Sequence, residues 1–165
     1  IRKPMIAAIN GPAAGLGLVQ AALCDVRFAA VGTRMTTAFT RRGLIAEHLI
    51  SWLLPRLVGH GVASDLLLSG RMFTAEEACA MGLVNRVVPS GESLQAAVEL
   101  AERICRNGPY AVQICKMLVN QSVQDRLPSG IRLEKTASQL IFQSKDRTEG
   151  IRAFLEKRSP SFTGE

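Results

Sequence analysis

The sequence has few aromatic residues. One Trp, one Tyr and six Phe make up 5% of its 165 residues. Proteins that bind single-stranded nucleic acid stack the bases on aromatic side chains, and this chain offers few such platforms. Its net charge of +6 is spread evenly, with eight basic and five acidic residues up to Gly82 and twelve and nine after it. An even positive charge suits an anionic ligand as well as it suits nucleic acid, so we do not expect nucleic acid as a partner.

Long apolar runs are also missing. A membrane-spanning helix needs about 20 consecutive apolar residues. The stretch that comes closest, residues 43–54, is interrupted at Glu47 and His48, so we expect no transmembrane segment. The apolar fraction of 47% and the charged fraction of 21% are typical of a soluble globular protein and exclude a wholly disordered chain.

Cysteine and histidine are few and scattered. No two of the four cysteines form a Cys-x-x-Cys pair, and each has apolar neighbours; they are Cys24, Cys79, Cys105 and Cys115. This pattern is typical of small core residues in a reducing compartment, so we expect an intracellular protein, in the cytoplasm, a mitochondrion or a peroxisome. The two histidines have no ligand pattern around them, so we expect neither a metal site nor a disulfide.

Strand and helix patterns alternate up to residue 92. Short apolar runs bounded by turn residues predict strands over residues 5–9, 26–30 and 83–88. Helical spacing predicts helices over residues 18–23, 46–58 and 62–68, and a fourth from the capping box of Thr74 and Glu77 to Gly82. Pro55 predicts a kink or a restart inside the second of these. The opening run is apolar throughout, which is typical of a buried central strand.

The rest of the chain is predicted to be helical. Ser93 is predicted to cap a helix to about residue 107, and Pro109 to open another to about residue 123. Two further helices are predicted over about residues 129–144 and 147–157. The chain is thus predicted to consist of an α/β core over residues 1–92 and a helical C-terminal region over residues 93–165.

A glycine-rich loop joins the first predicted strand to the first predicted helix. It contains Gly15, Leu16 and Gly17, at a point where backbone N–H groups gather at a helix N-terminus. A dinucleotide fingerprint needs a further Gly where the chain has Gln20, and a phosphate loop needs a Gly-Lys-Ser/Thr sequence that is absent. Two interpretations stay open: the glycines allow a tight turn, or the Leu16 amide stabilises an oxyanion.

Glu47 is the candidate general base. It is predicted to lie in the first turn of a helix that begins near Ala46, on the same face as the apolar residues Ile50 and Leu54. A helix N-terminus favours the ionised carboxylate, whereas apolar surroundings favour the protonated acid. This opposition is suited to a base poised near neutral pH. The alternative is a solvated acid that stabilises the helix dipole.

Several dispersed segments resemble the crotonase superfamily, which contains the enoyl-CoA hydratases and isomerases. The matching segments, in the order of the family, are KPMIAAING at 3–11, GLG at 15–17, LCD at 23–25, LPRLVG at 54–59, EACAMGLV at 77–84 and FLEKR at 154–158. The resemblance implies an α/β fold with the ClpP/crotonase spiral core and a helical C-terminal trimerisation region. It also implies an acyl-CoA thioester ligand, whose oxygen is held by two backbone N–H groups while an enolate forms.

The resemblance assigns roles to individual positions. Leu16 matches one oxyanion donor, while its partner belongs to a segment that precedes Lys3 in the family, so this sequence is expected to hold the later part of the fold. Val19 and Phe39 stand where hydratases have their two glutamates, and Glu47 stands where some isomerases keep one Glu base and a dehalogenase branch keeps an Asp nucleophile. The residues expected to bind substrate or coenzyme A are Gly15, Gly17, Phe39, Phe154 and Lys157.

The leading hypothesis is an acyl-CoA enzyme that moves a double bond, with Glu47 as the base and the Leu16 amide as an oxyanion donor. It requires no cofactor beyond the coenzyme A of the substrate. The expected assembly is a homotrimer or a pair of trimers, formed through residues after Ser93. The alternatives are a catalytically degenerate crotonase fold that binds or scaffolds, with RNA as a candidate ligand of its basic surface, and a nucleophilic role for Glu47.

Overall fold

A computed structural model describes residues 1–123 and 127–165 of the chain. It divides into two compact units, and we call them the strand unit, Met5–Leu100, and the helical unit, Ile1–Pro4 together with Ala101–Glu165. The sequence predicted a boundary between residues 92 and 93, where helix α5 (Ser93–Cys105) begins. In the structure the division between the units falls inside that helix.

Six short strands form two small sheets in the strand unit. The first sheet is parallel, in the order β1 (Ile6–Ile9), β3 (Val26–Ala30) and β6 (Arg86–Val88). The second contains β2 (Ala13–Ala14), β4 (Arg34–Thr36) and β5 (Phe73–Thr74), with β2 parallel and β5 antiparallel to β4. Within this sheet of the described residues β3 is the middle strand and β1 lies beside it. Whether the opening strand is central in the complete sheet stays a prediction.

Helices cover the sheets and complete the core of the strand unit. They are α1 (Leu16–Ala22), α2 (Ile50–Val58), α3 (His60–Ser69) and α4 (Ala75–Ala80), with a 3₁₀ turn over Thr40–Arg42. Large side chains that are fully buried in this core include Met35, Ile50, Leu54, Leu66 and Phe73. Thr74 and Glu77 form the predicted capping box of α4. Helix α2 continues through Pro55, and the predicted restart falls instead at Gly59, whose φ is 79°.

In residues 89–123 and 127–165 four helices follow the last strand: α5 and then α6 (Pro109–Ser122), α7 (Leu127–Phe142) and α8 (Lys145–Leu155). Ser93 does not cap α5 as predicted. The carbonyl of Glu92 accepts the N–H of Ala96, so the capping position belongs to Glu92. The buried Ser93 hydroxyl has no hydrogen-bond partner among the described residues. None of the described helices is both long and apolar enough to cross a bilayer.

The end of the chain folds back onto the start of α8. The buried carboxylate of Asp146 accepts the N–H groups of Thr163 at 2.7 Å and Gly164 at 2.9 Å. The N–H of Asp146 donates in turn to the Glu165 carbonyl. These hydrogen bonds give a fixed conformation to a segment that has no helix or strand of its own.

Glu149 and Arg158 are predicted to make this region sensitive to acid. Arg158 donates two bonds to the Glu149 carboxylate, at 2.6 and 2.9 Å, and Ser161 N–H adds a third. The Arg158 hydrogen bond lowers the pKa of Glu149 from 4.5 to about 2, and the Ser161 N–H contributes in the same direction. A carboxyl group with a lowered folded-state pKa stabilises the protein above its unfolded pKa, and this contribution is lost as the pH falls toward 2.

We therefore expect Glu149→Gln to be less stable than the unchanged chain at neutral pH. The difference in unfolding free energy should shrink as the pH falls below 4.5. Urea unfolding curves at a series of pH values measure it. Glu134→Gln, at an exposed position of α7, is the control and should show no such trend. A Glu149→Gln deficit that stays constant with pH would contradict the assignment.

Candidate active site

The glycine loop places a backbone donor at the start of α1. Gly15 has φ 50° and ψ −120°, a conformation that residues with a Cβ rarely adopt. Its N–H donates to the Thr36 carbonyl of β4 at 3.1 Å. The first hydrogen bond of α1 runs from Val19 N–H to Gly15 O, so the Leu16 N–H lies in the first turn and has no acceptor within the helix. A role of this amide as an oxyanion donor stays a prediction.

Glu47 lies outside the helix in which it was predicted. Helix α2 begins at Ile50, and Glu47 belongs to the preceding turn, joined to the helix by a bond from Ile50 N–H to Glu47 O. The reason is the backbone of His48 and Leu49, which have φ of 55° and 69° and so cannot continue a right-handed helix. The predicted face shared with Ile50 and Leu54 is therefore wrong.

The surroundings of Glu47 are open and partly apolar. Its side chain is 45% exposed, and its carboxylate lies 3.7 Å from the His48 imidazole, which is also about half exposed. The side chains of Ile45 and Leu49 are exposed beside it. The prediction of a base poised near neutral pH required Glu47 to be buried among apolar side chains, and it is not. The imidazole of His48 beside it was not predicted from the sequence.

Val19 and Phe39 occupy the two positions at which, by the resemblance, hydratases have their catalytic acids. Val19 is 1% exposed and Phe39 is 7% exposed, and both belong to the core of the strand unit. Their apolar side chains pack and offer no proton donor or acceptor. A contact of the Phe39 ring with substrate stays a prediction, as does substrate binding by Gly15 and by Gly17, which is exposed next to Leu16.

Phe154 and Lys157 belong to the helical unit, at the end of α8. The Phe154 side chain is exposed, and Lys157 has φ 53° where the chain leaves the helix. The N–H groups of Lys157 and Arg158 donate to the carbonyls of Phe154 and Ala153, which closes the helix with a left-handed residue. Their role in binding coenzyme A stays a prediction.

Two further features were missed by the sequence reasoning. Thr36 and Thr37 bind the end of helix α3 through their hydroxyl groups. Arg27, in β3, is 5% exposed and donates to backbone carbonyls of Leu83, Ala22 and Cys24. These hydrogen bonds could not be predicted from the local sequence. The acceptors of the two threonines and the Leu83 acceptor of Arg27 are distant in the sequence, and the other acceptors of Arg27 are backbone carbonyls at the end of a helix.

Comparisons with known proteins place these features in a family. A family model described as enoyl-CoA hydratase/isomerase matches residues 1–165. The 2,3-dehydroadipyl-CoA hydratase of Escherichia coli K12 is 40% identical over 98% of this chain and 64% of its own length. The crotonyl-CoA hydratase of Syntrophomonas wolfei is 38% identical over 98% of this chain and 62% of its own length.

The fold agrees with that of solved members. The crystal structure of an enoyl-CoA hydratase from Bacillus anthracis superposes with a TM-score of 0.97 at 40% identity, covering 99% of this chain and 64% of the other. The crotonase-like α/β fold predicted from the sequence is thereby confirmed. The chain belongs to the enoyl-CoA hydratase/isomerase family, as its resemblance to the crotonase superfamily indicated. It spans less than two thirds of the length of these relatives.

Proposed function

We propose that the full-length protein acts on an acyl-CoA thioester and holds the thioester oxygen with the Leu16 amide. The observation that carries the proposal is the Leu16 N–H in the first turn of α1, directly after a Gly15 whose own N–H is bound to Thr36 O. A backbone donor of this kind stabilises the charge that develops on the oxygen, and removing one such donor costs about 10²–10³ in rate.

Isomerisation is the reaction that this chain's residues support best. The positions assigned to the two hydratase acids carry the buried side chains of Val19 and Phe39, whereas the position of the single isomerase base carries Glu47. Glu47 would take a proton from the carbon next to the thioester carbonyl, and the double bond would move into conjugation as that proton is returned two carbons further along. One base suffices for this exchange, and no cofactor beyond the coenzyme A of the substrate is required.

The exposure of Glu47 supports a second candidate, a crotonase fold that binds an acyl-CoA thioester without turning it over. A carboxylate that is about half open to solvent has the position of the solvated acid considered above, and solvent weakens its electrostatic interaction with a bound ligand. The two candidates share a ligand and differ in product.

The products formed from a β,γ-unsaturated acyl-CoA thioester distinguish the candidates. We expect the full-length protein to give the conjugated α,β-unsaturated thioester, which nuclear magnetic resonance identifies. A β-hydroxyacyl thioester as the main product would contradict the isomerase assignment. Tight binding by calorimetry with no product would support the non-catalytic candidate, and no binding would contradict both.

We further propose that Gly15, Gly17, Phe39, Phe154 and Lys157 contact the substrate and that the protein is a homotrimer or a pair of trimers. The oligomer is supported by exposed apolar side chains in the helical unit. Phe142, Phe154 and Leu155 are each at least 60% exposed, and exposed apolar surface commonly marks a protein interface where it is contiguous.

A further inference from the structure

Two threonine hydroxyls at the end of β4 bind the end of helix α3. Thr36 Oγ1 donates to Gly70 O at 2.8 Å, and Thr37 Oγ1 donates to Leu66 O at 2.7 Å. The two side chains are 6% and 0% exposed. Buried hydroxyl groups are costly without a partner, and a buried bond to a carbonyl fixes both groups in position. The carboxyl end of β4 is therefore anchored to the carboxyl end of α3.

Thr36 also holds the glycine loop and a strained turn. Its backbone carbonyl accepts the Gly15 N–H at 3.1 Å, and its hydroxyl accepts the Ala38 N–H at 3.1 Å. Ala38 has φ 59°, which is rare for a residue with a Cβ and needs support from its surroundings. Thr36 thus joins three elements: the end of α3, the turn at Ala38, and the residue that directly precedes Leu16.

We propose that Thr36 and Thr37 are positioning residues for the Leu16 amide. Helix α1 has seven residues and no side-chain cap, and the bond from Gly15 to Thr36 O, next to the pairing of β2 with β4, joins its first turn to β4. An oxyanion donor is effective only when it is held at the place where charge develops, and a misplacement of about 1 Å can cost 10²-fold in rate. This inference rests on the proposed function, because it assigns to the threonines the placement of the proposed donor.

The experiment compares variants of the full-length protein on the β,γ-unsaturated thioester. Thr36→Val keeps the branched shape and removes the hydroxyl, and we expect kcat to fall by about 10- to 100-fold with little change in KM. Thr36→Ser restores the hydroxyl and should recover most of kcat. Ser69→Ala is the matched control, since its hydroxyl bonds Asp65 O at the same end of α3 but has no bond to the glycine loop.

A second measurement keeps the inference independent of turnover. Hydrogen exchange should show faster exchange of the Gly15 N–H in Thr36→Val, while the Ala29 N–H in the middle strand exchanges as before. If Thr36→Val does not fold, Thr37→Val and Thr37→Ser take the same two tests. An unchanged kcat in the valine variant, or a loss of equal size in Ser69→Ala, would overturn the proposal.

If the protein without any substitution shows no turnover, the proposed isomerase activity is refuted, but the positioning role of the threonines is not. In that case the exchange of the Gly15 N–H decides about the threonines. Faster exchange confined to the loop supports their positioning role. No change, or an equal change at Ala29, overturns it.

Discussion

Replacing Glu47 with glutamine is expected to lower the isomerase kcat of the full-length protein by about 10²–10⁴, the usual contribution of a general base. Glutamine has nearly the same shape as glutamate but cannot accept a proton, so the substrate should still bind and KM should change little. The absorbance of the conjugated thioester product measures the rate. The size of the loss also shows how well a carboxylate that is 45% exposed functions as a base.

Glu92→Gln is the matched control for this experiment. Glu92 is another exposed acid of the strand unit, and its replacement removes one negative charge without touching the glycine loop or the turn at Glu47. Its kcat should equal that of the unchanged protein. If Glu47→Gln kept near-normal turnover, Glu47 would not be the base. That result would not bear on the role of the Leu16 amide.

Replacing Arg27 with methionine is expected to destabilise the protein by about 2–4 kcal/mol. The Arg27 guanidinium donates to Leu83 O at 2.6 Å and to the carbonyls of Ala22 and Cys24 at the end of α1. Methionine fills similar space but removes the donor from the buried carbonyls of Leu83 and Ala22. Burial lowers the pKa of Arg27, yet an arginine remains charged at neutral pH. Removing that desolvated charge offsets part of the loss.

Urea unfolding of Arg27→Met measures this difference as a lower midpoint with an unchanged slope. Arg34→Met, at an exposed position of β4, is the control and should change the unfolding free energy by less than about 0.5 kcal/mol. Equal midpoints for the two variants would show that the hydrogen bonds of Arg27 to the end of α1 and to Leu83 contribute nothing measurable to stability.

Much of the fold could be predicted because its signals are local. The strand Val26–Ala30 has the bounds that its apolar run predicted, and the Thr74–Glu77 capping box forms as expected because both partners lie within one helical turn. The two-residue strands β2 and β5 were missed. They are defined by pairing with β4, and so short a run carries no periodicity of its own.

The candidate site was predictable in part. The position of the Leu16 amide follows from a strand, a glycine and a helix that are adjacent in sequence. The surroundings of Glu47 do not follow in this way, because the left-handed backbone of His48 and Leu49 has no glycine or asparagine to announce it. The helix therefore begins later than its apolar spacing predicted, and the acid stands outside it.

By itself the sequence determined the alternation of strands and helices, since spacing and capping are properties of neighbouring residues. Its resemblance to known proteins indicated the family and supplied the candidates for base and oxyanion donor. Tertiary structure decided how those residues are held. The hydroxyls of Thr36 and Thr37 reach carbonyls about thirty residues away, and Arg27 reaches Leu83 from another strand. A buried polar group must be paired wherever the folded chain brings a partner to it, and no local pattern records which partner that is.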